Sequence, residues 1–332
     1  MTTTALADDI TDVVQRGDGW VRGYRVPTSG DGGQFLIVLK PEFTAAIRRG
    51  TAPLHRTFEL LADSDVTIGG VRVASTEKLA ALRFIEGHYP VLNRVSRLGL
   101  SAVPRNVLHR LAHDYPDIVT ASKSNSRQIL GGHQLLEVRP DLTPLALDTL
   151  ARNLPITKIA SGVYASRIVL DEQPLLVLNA FHPCQLEHFH RPGGSLVFLT
   201  CHTSRRTDEL RREVIGATDP AQACPGSVKH LLYALRPWQV CTRLNGIHIS
   251  PGPIEAMFTI QRYFAEDWAA MPLTDTQLGR ELRAAGIDLE QVQRLSDNPM
   301  IEQDGLLFDL GEDRTTAESI ELLRRIVGDR RS

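Results

Sequence analysis

Cysteine is scarce in this chain of 332 residues, and its spacing argues against two classes of protein. The four cysteines are widely separated, at Cys184, Cys201, Cys224 and Cys241. None belongs to a CxxC pair, so the sequence predicts neither a zinc site nor a disulfide framework. We expect free thiols, no metal held by the protein itself, and a cytoplasmic location.

A surplus of positive charge and a long apolar run are also absent. Lys and Arg number 37 against 39 Asp and Glu, which gives a formal net charge of -2. Nucleic-acid-binding proteins usually carry a basic surplus, so we expect no nucleic-acid partner, although a local basic pocket for a small anion stays open. No apolar run approaches the ~18 residues that cross a bilayer. The first residues also lack the pattern of a signal peptide, so we expect no membrane association.

The chain does contain strong apolar strands separated by helices. "QFLIVLK" predicts a buried strand that ends at Pro41, "VTIGGVRVAS" and "SLVFLTCH" predict two more, and the stretch ending in "NGIHIS" predicts another. The helix "GPIEAMFTIQRYF" follows, with Pro253 in its first turn. This order lacks the regular alternation of a doubly wound sheet. The predicted fold class is α/β (α+β), with a ferredoxin-like βαββαβ antiparallel sheet.

The composition divides the chain into several predicted regions. A polar segment precedes the first predicted strand, and a long stretch that has the character of an insertion separates the second strand from the third. The predicted regions are an N-terminal segment (1–33), a core (34–99 and 179–264), an inserted subdomain (100–178) and a C-terminal extension (265–332).

Seven polar side chains near the predicted strands are candidates for chemistry. They are Lys40, Tyr89, Arg212, Thr218, Lys229, Asn245 and His248. Taken singly, each is more often a solvated or packed residue than a functional one. Together they suit phosphoryl transfer, which needs cations, hydroxyl donors and a nucleophile that can carry the phosphoryl group. The common phosphate loops GxGxxG and GxxxxGK[ST] are absent, so any phosphate site has to be built differently.

Four segments resemble the nucleoside diphosphate kinase family, in the order that the family has them. "FLIVLKPE" resembles its opening strand with Lys-Pro-Asp, and "VTIGGVRVASTEKLAALRFIEGHY" its second strand and following helix. "RREVIGATDPAQACPGSVK" resembles the family's Arg-Val-Met-x-Gly-x-Thr-Asn-Pro segment and the Pro-Gly-Thr-Ile-Arg that follows it. "NGIHISPGPIEAMFTIQRYF" resembles Asn-x-x-His-Gly-Ser-Asp and the last core helix.

The resemblance implies a fold and a set of roles. His248 would be the nucleophile that carries the phosphate, with Lys40 as the second catalytic residue. ATP or another nucleoside triphosphate would be the phosphate donor, with Mg²⁺ held by the nucleotide and water. The residues implied to bind the nucleotide are Tyr89, Phe181, Arg212, Thr218, Lys229 and Asn245, with Phe181 stacking on the base. The partners would be the nucleotide and a small-molecule acceptor, and the chain would form a homo-oligomer, for which we expect a dimer.

The chain also departs from the family. Lys229 stands where the family has Arg, and loses the bidentate fork. Thr259 stands where the family has the Glu that orients the nucleophilic His, although Glu255, one helical turn earlier, is placed to substitute in part. The inserted subdomain would lie beside the nucleotide entrance. These departures favour a specialised acceptor over the balancing of nucleotide pools.

A second group of histidines occurs in "FHPCQLEHFH", which contains His182, His188 and His190 together with Glu187. His188 and His190 are two residues apart, so on a helix they face different ways. We therefore interpret the stretch as a polar helix face rather than a metal site.

Three functions stay open from the sequence. The first is a phosphotransferase that works through a phosphohistidine at His248. The second is a nucleotide-dependent enzyme with altered chemistry, which transfers a phosphoryl or adenylyl group directly to a second substrate bound near the insertion. The third is a non-catalytic nucleotide-binding protein.

Overall fold

The structure is a computed structural model that describes residues 3–27, 32–103, 105–122, 128–235, 240–242, 244–301 and 305–329. The chain divides into two compact units. The first unit comprises Met1–Ala81, Arg191–Ile301 and Leu307–Ser332, and the second comprises Leu82–His190 and Glu302–Leu306.

The strands are short to medium in length. In chain order they are β1 (Gly19–Arg22), β2 (Gly33–Leu39), β3 (Val66–Ser75), β4 (Ile129–Gly131), β5 (Ile156–Ala160), β6 (Val163–Leu170), β7 (Gln173–Leu178), β8 (Ser195–Thr203), β9 (Ile247–Ile249), β10 (Met300–Ile301) and β11 (Gly305–Leu306).

The α-helices outnumber the strands. In chain order they are α1 (Thr3–Arg16), α2 (Pro41–Ile47), α3 (Ala52–Asp63), α4 (Thr76–Ala81), α5 (Phe84–His88), α6 (Pro90–Leu98), α7 (Arg105–Asp114), α8 (Pro116–Ser122), α9 (Gly132–Val138), α10 (Pro144–Arg152), α11 (His182–His190), α12 (Thr207–Glu209), α13 (Val228–Leu235), α14 (Pro253–Tyr263), α15 (Gln277–Ala284), α16 (Leu289–Gln293), α17 (Leu307–Leu310) and α18 (Thr316–Asp329). A π-helical turn spans Leu210–Ile215, and 3₁₀ turns span Gly99–Ala102, Pro220–Gln222 and Leu273–Asp275.

The first unit is built on a five-stranded sheet in the order β1-β3-β8-β2-β9. Every pair of neighbouring strands in it is antiparallel. Strands β2 and β8 are buried almost throughout, which explains why their sequences are continuous apolar runs rather than alternating ones. The coarse prediction of a mixed α/β fold with an antiparallel sheet is therefore confirmed.

Helix α1 lies in the segment that the composition presents as polar. Its apolar residues recur at helical spacing, and Leu6, Ile10 and Val14 are buried in the first unit. The acidic residues between them face outward and give the segment its polar composition. Residues 28–31, near the end of the predicted N-terminal segment, lie outside the described residues.

The predicted C-terminal extension contributes to the core of the first unit. Ile254, Met257 and Phe258 of α14 belong to one buried apolar cluster with Leu282 of α15 and Leu323 of α18. Helix α14, which follows strand β9, therefore packs against the C-terminal helices.

The second unit has its own four-stranded sheet and core. Its strand order is β4-β7-β6-β5, with β4 parallel to β7 and the other neighbours antiparallel. Leu135, Leu147, Ile168 and Val177 belong to its buried apolar cluster.

The units divide the chain at other points than the predicted regions do. Residues 82–99 and 179–190, predicted as parts of the core, belong to the second unit. The predicted single helix after β3 is broken into α4, α5 and α6, because Arg83 adopts a left-handed conformation and Pro90 begins a new helix. The chain leaves the first unit at the first of these breaks.

Among the residues that the structure describes, none of the helices combines the length and the apolar character required to cross a bilayer.

The C-terminal helices should be essential to the stability of the first unit. Leu323 is fully buried in the cluster beneath α14, so Leu323→Ala should lower the free energy of unfolding by about 2–5 kcal/mol through lost burial and a cavity. Leu235→Ala is the matched control, because that side chain is 56% exposed and should cost less than about 0.5 kcal/mol. Chemical denaturation measures both. Equal effects would show that the C-terminal cluster is not part of the cooperative core.

Candidate active site

His248 lies on a short strand whose backbone is held by hydrogen bonds to one neighbouring strand. Strand β9 is the edge strand beside β2, and His248 stands opposite Val38 in the antiparallel register. Ser250 continues the connection, since its backbone N–H donates to Leu36 O at 2.9 Å and its Oγ accepts from Leu36 N at 2.9 Å. The imidazole therefore projects from a backbone that has little freedom to move.

Glu255 holds the imidazole of His248 from helix α14. The Nε2 atom lies 3.1 Å from Glu255 Oε1, and the two side chains are 21% and 14% exposed. A carboxylate beside Nε2 favours the tautomer that carries its proton there, which leaves the lone pair on Nδ1. Thr259, which stands where the family has its orienting Glu, donates its hydroxyl to Glu255 O at 2.7 Å. Glu255 thus makes the hydrogen bond that orients the imidazole, and it does so from one helical turn before Thr259.

The imidazole of His248 is kept neutral. Burial, followed by the positive charges of Lys40, Lys229 and Arg211, lowers its pKa from 6.5 to about 3. A neutral imidazole has a lone pair available at physiological pH, which is the state that nucleophilic attack needs.

Lys40 and Asn245 form the next part of the site. Lys40 follows strand β2, and its Nζ donates to Asn245 Oδ1 at 2.7 Å, with both residues 6% exposed. The Nδ2 group of Asn245 in turn donates to the carbonyl oxygens of Thr218 and Thr242, both at 3.1 Å. Burial is the main cause that lowers the pKa of Lys40, while the charge of Glu42 opposes that shift.

The turn that joins Asn245 to β9 requires glycine. Gly246 has φ +79°, and a Cβ there would lie 1.9 Å from Leu232 Cδ2. Its N–H donates to Glu42 Oε1 at 2.8 Å, and its carbonyl accepts from Lys40 N at 2.8 Å. These two hydrogen bonds of Gly246 fix the turn next to Asn245 against the end of strand β2.

Lys229 supplies a second buried ammonium group. It lies on α13, is 6% exposed, and donates from Nζ to Gly216 O at 3.2 Å. Burial, followed by the charges of Lys40 and Arg211, lowers its pKa from 10.5 to about 8. Two lysines therefore contribute positive potential at His248 while their ammonium groups bond neutral amide oxygens.

The arginine that acts on this site is Arg211, next to the predicted Arg212. Arg212 is 64% exposed and pairs with Glu213 at 3.4 Å. Arg211 contributes to the lowered pKa values of both His248 and Lys229. Both arginines lie in the π-helical turn Leu210–Ile215. Gly216 N donates to Arg211 O, five residues back, at 3.0 Å.

The side chains of the other predicted nucleotide-binding residues take no part in the contacts described above. Thr218 has an exposed side chain and meets the site through its backbone carbonyl, which accepts from Asn245. Tyr89 and Phe181 belong to the second unit, where their rings pack against His88 at 4.4 Å and Tyr164 at 5.6 Å between centroids. Their roles in binding a nucleotide stay predictions.

The histidine-rich stretch of the second unit differs from its sequence interpretation. His182 is fully buried at the start of α11 rather than on a polar face, and its Nδ1 lies 3.4 Å from Gln185 Oε1. Burial lowers the pKa of His182 to about 4. His190 lies 3.6 Å from Glu86 across the same unit.

A separate cavity of about 710 Å³ in the first unit contains none of the predicted site residues in its lining. Trp20, Tyr24 and Phe264 form its aromatic part, and it is also lined by two arginines and two acids, Arg25, Arg280, Glu266 and Asp275. Because its charges balance, the lining does not select a class of ligand.

Comparison with known proteins gives little guidance. No family model matches the chain, and no curated protein matches it. Fourteen chains of solved structures match, among them the crystal structure of an NDP kinase from Pyrobaculum aerophilum. That match is 16% identical, has a TM-score of 0.34, and covers 72% of this chain and 99% of the other. A likeness at this TM-score carries no argument, so the function has to be inferred from the residues themselves.

The neutral state of His248 should make the first unit sensitive to acid. On unfolding, its pKa returns from about 3 to near 6.5, so the unfolded state binds the proton between these values. Stability should be unaffected by this group above pH 6.5 and should fall as the pH drops below it. His248→Gln should remove one proton from this dependence, up to about 1.4 kcal/mol per pH unit.

Urea denaturation of the wild type and His248→Gln across this pH range measures the difference in slope. NMR titration of the ring gives an independent reading, because the resonance that His248→Gln removes should not shift near pH 6.5. Identical slopes, together with a ring that titrates near 6.5, would contradict the neutral imidazole.

Proposed function

We propose that the first unit is a phosphotransferase that passes the terminal phosphoryl group of a nucleoside triphosphate through His248 to an acceptor. The observation that carries the proposal is the neutral imidazole beside Glu255 and the two buried lysines. A histidine that serves only as a packed residue does not need two desolvated cations nearby.

The chemistry follows from the state of the ring. The lone pair on Nδ1 attacks the terminal phosphorus, a P–N bond forms, and the P–O bond to the departing nucleoside diphosphate breaks with its electron pair staying on that oxygen. Lys40 and Lys229 are the groups available to stabilise the charge on the phosphoryl and leaving oxygens. Glu255 holds the Nε2 proton and stabilises the ring as positive charge develops on it. A deprotonated acceptor oxygen then attacks the same phosphorus, its P–O bond forms as the P–N bond breaks, and the electron pair of that bond returns to Nδ1 and regenerates the neutral ring.

The fold supports the same proposal. Strands β3, β8, β2 and β9 are adjacent in that order with antiparallel neighbours, an order and orientation compatible with the ferredoxin-like βαββαβ sheet that we propose. The segments of sequence that resemble nucleoside diphosphate kinases supply Lys40, Lys229, Asn245 and His248. We infer that the chain is a divergent protein of this type with a specialised small-molecule acceptor, and that it works as a homo-oligomer, with a dimer as the simplest form.

Magnesium would accompany the nucleotide rather than bind to the first unit. The buried carboxylates nearest His248 and Lys40 are engaged, Glu42 with Gly246 N and Glu255 with His248. Mg²⁺ prefers six oxygen ligands, and these residues do not form such a set. Bound to the phosphates, the ion would neutralise part of their charge.

A second candidate is direct transfer from the nucleotide to another substrate, without a phosphohistidine. The exposed side chains of Arg212 and Thr218 favour it, because a nucleotide pocket that kept the family's chemistry would be expected to use both. In that case the cationic site would bind the triphosphate, and His248 would only orient it.

Labelling with γ-labelled ATP separates the two candidates. The wild type should acquire acid-labile, base-stable phosphate, as a P–N bond requires, and His248→Asn should acquire none. Lys40→Gln should slow labelling by at least about tenfold, because a charge-assisted hydrogen bond to a phosphoryl oxygen contributes about 1.5–3 kcal/mol.

His113→Asn is the matched control, since that histidine is 87% exposed in the second unit and should label as the wild type does. If the protein binds ATP and transfers phosphate to a supplied acceptor, but neither the wild type nor any variant is labelled, the phosphohistidine mechanism is wrong and the second candidate, direct transfer, is supported. Binding with no turnover for any acceptor would leave a nucleotide-binding protein without catalysis.

A further inference from the structure

The guanidinium group of Arg211 is occupied by two carboxylates from the C-terminal part of the chain. Its Nη2 donates to both Oδ1 and Oδ2 of Asp313 at 2.9 Å, and its Nη1 donates to Glu312. The three side chains are between 31% and 42% exposed, so the cluster lies at the surface of the first unit.

The acidic pair is anchored beside the strand that carries His248. Asp313 N donates to Pro251 O at 3.0 Å, three residues after His248. The backbones also approach closely, because a Cβ on Gly252 would lie 2.1 Å from Gly311 O. The π-helical turn that contains Arg211 contacts β9 directly. The acids therefore meet Arg211 at the edge of the candidate active site.

The charge of this cluster differs from that of the two lysines. Lys40 and Lys229 bond neutral amide oxygens, so their positive charge stays available to an anion. Arg211 with Asp313 and Glu312 forms a group with one positive and two negative charges. Glu312 on Nη1 and Asp313 on Nη2 together place carboxylate oxygens on both terminal nitrogens of the guanidinium group, the positions that a phosphate bound to arginine also uses.

We propose that Arg211 is the arginine of the phosphate site and that Glu312 and Asp313 are built-in competitors that occupy its fork until a phosphate displaces them. The inference rests on the proposed function, since it assumes that the site near His248 takes a polyphosphate. It assigns Glu312 and Asp313 as residues that set the affinity of the site for its ligand.

The test uses inorganic tripolyphosphate as the probe, with its affinity measured by isothermal titration calorimetry. Asp313→Asn removes the charge and preserves the backbone, because Asp313 has φ +58° and Asn tolerates this left-handed conformation. Asp309→Asn is the matched control, since it removes an equal charge from an exposed side chain of the same segment.

Asp313→Asn should bind tripolyphosphate about two- to fivefold more tightly than the wild type, as expected for one partly exposed ion pair. Glu312→Gln with Asp313→Asn should bind more tightly still, and Asp309→Asn should bind as the wild type does. Arg211→Gln should bind more weakly, and adding Asp313→Asn to it should give no further gain, because the competitor then has nothing to occupy.

Four results would overturn the proposal. Weaker binding by Asp313→Asn would make the acid a support for Arg211 instead of a competitor. An equal gain in the Arg211→Gln background would reduce the effect to general electrostatics. The third result is that the wild type binds, Lys40→Gln weakens binding and Asp313→Asn changes nothing. In that case Asp313 does not compete with the ligand, while the phosphate site of the proposed function is supported. If neither the wild type nor any variant binds, the competitor and the anion site that the proposed function needs both fail.

Discussion

Two buried ammonium groups beside a neutral imidazole are the constraint on which the first unit's site depends. A desolvated charge is costly unless a partner compensates it. Lys40 has Asn245 and the nearby charge of Glu42, whereas Lys229 has a backbone carbonyl. Burial, together with the charges of the same cations, lowers the pKa of His248 and keeps it unprotonated. An anion beside them would compensate the charge of the lysines.

The scaffold holds this unfavourable arrangement because each part is tied to a different rigid element. Lys40 ends the central strand β2, Lys229 lies on α13, and His248 is on β9 with its partner Glu255 on α14. Helix α14 is in turn fixed by the apolar cluster of the C-terminal helices. The end of the chain therefore has two roles, since it supports Glu255 from behind and contributes the acids that meet Arg211.

Short-range sequence patterns predicted the strands and the main residues of the site, whereas long-range features escaped them. The apolar runs that became β2, β3 and β8 and the spacing of Asn245 to His248 are local signals. The π-helical turn has no comparable signature, and the spacing of Arg212 to Thr218 gives no signal for the contacts of Arg211. Helix α1 was missed because its acidic face dominates its composition. Glu312 and Asp313 reach Arg211 across about a hundred residues, as only the folded chain shows.

The net charge of -2 also shows why composition does not decide whether a phosphate can bind. Near His248, three cations are accompanied by four acids, Glu42, Glu255, Glu312 and Asp313, so a count of charges predicts no attraction for an anion. The acids differ in what they bond: Glu42 accepts from a backbone N–H, Glu255 from the imidazole, and the other two from Arg211. Glu42 is as buried as the two lysines, so burial alone does not separate acids from cations; the charges that lower the pKa of His248 are those of Lys40, Lys229 and Arg211. The local potential is thus set by where each charge lies and what it bonds, which are properties of the fold.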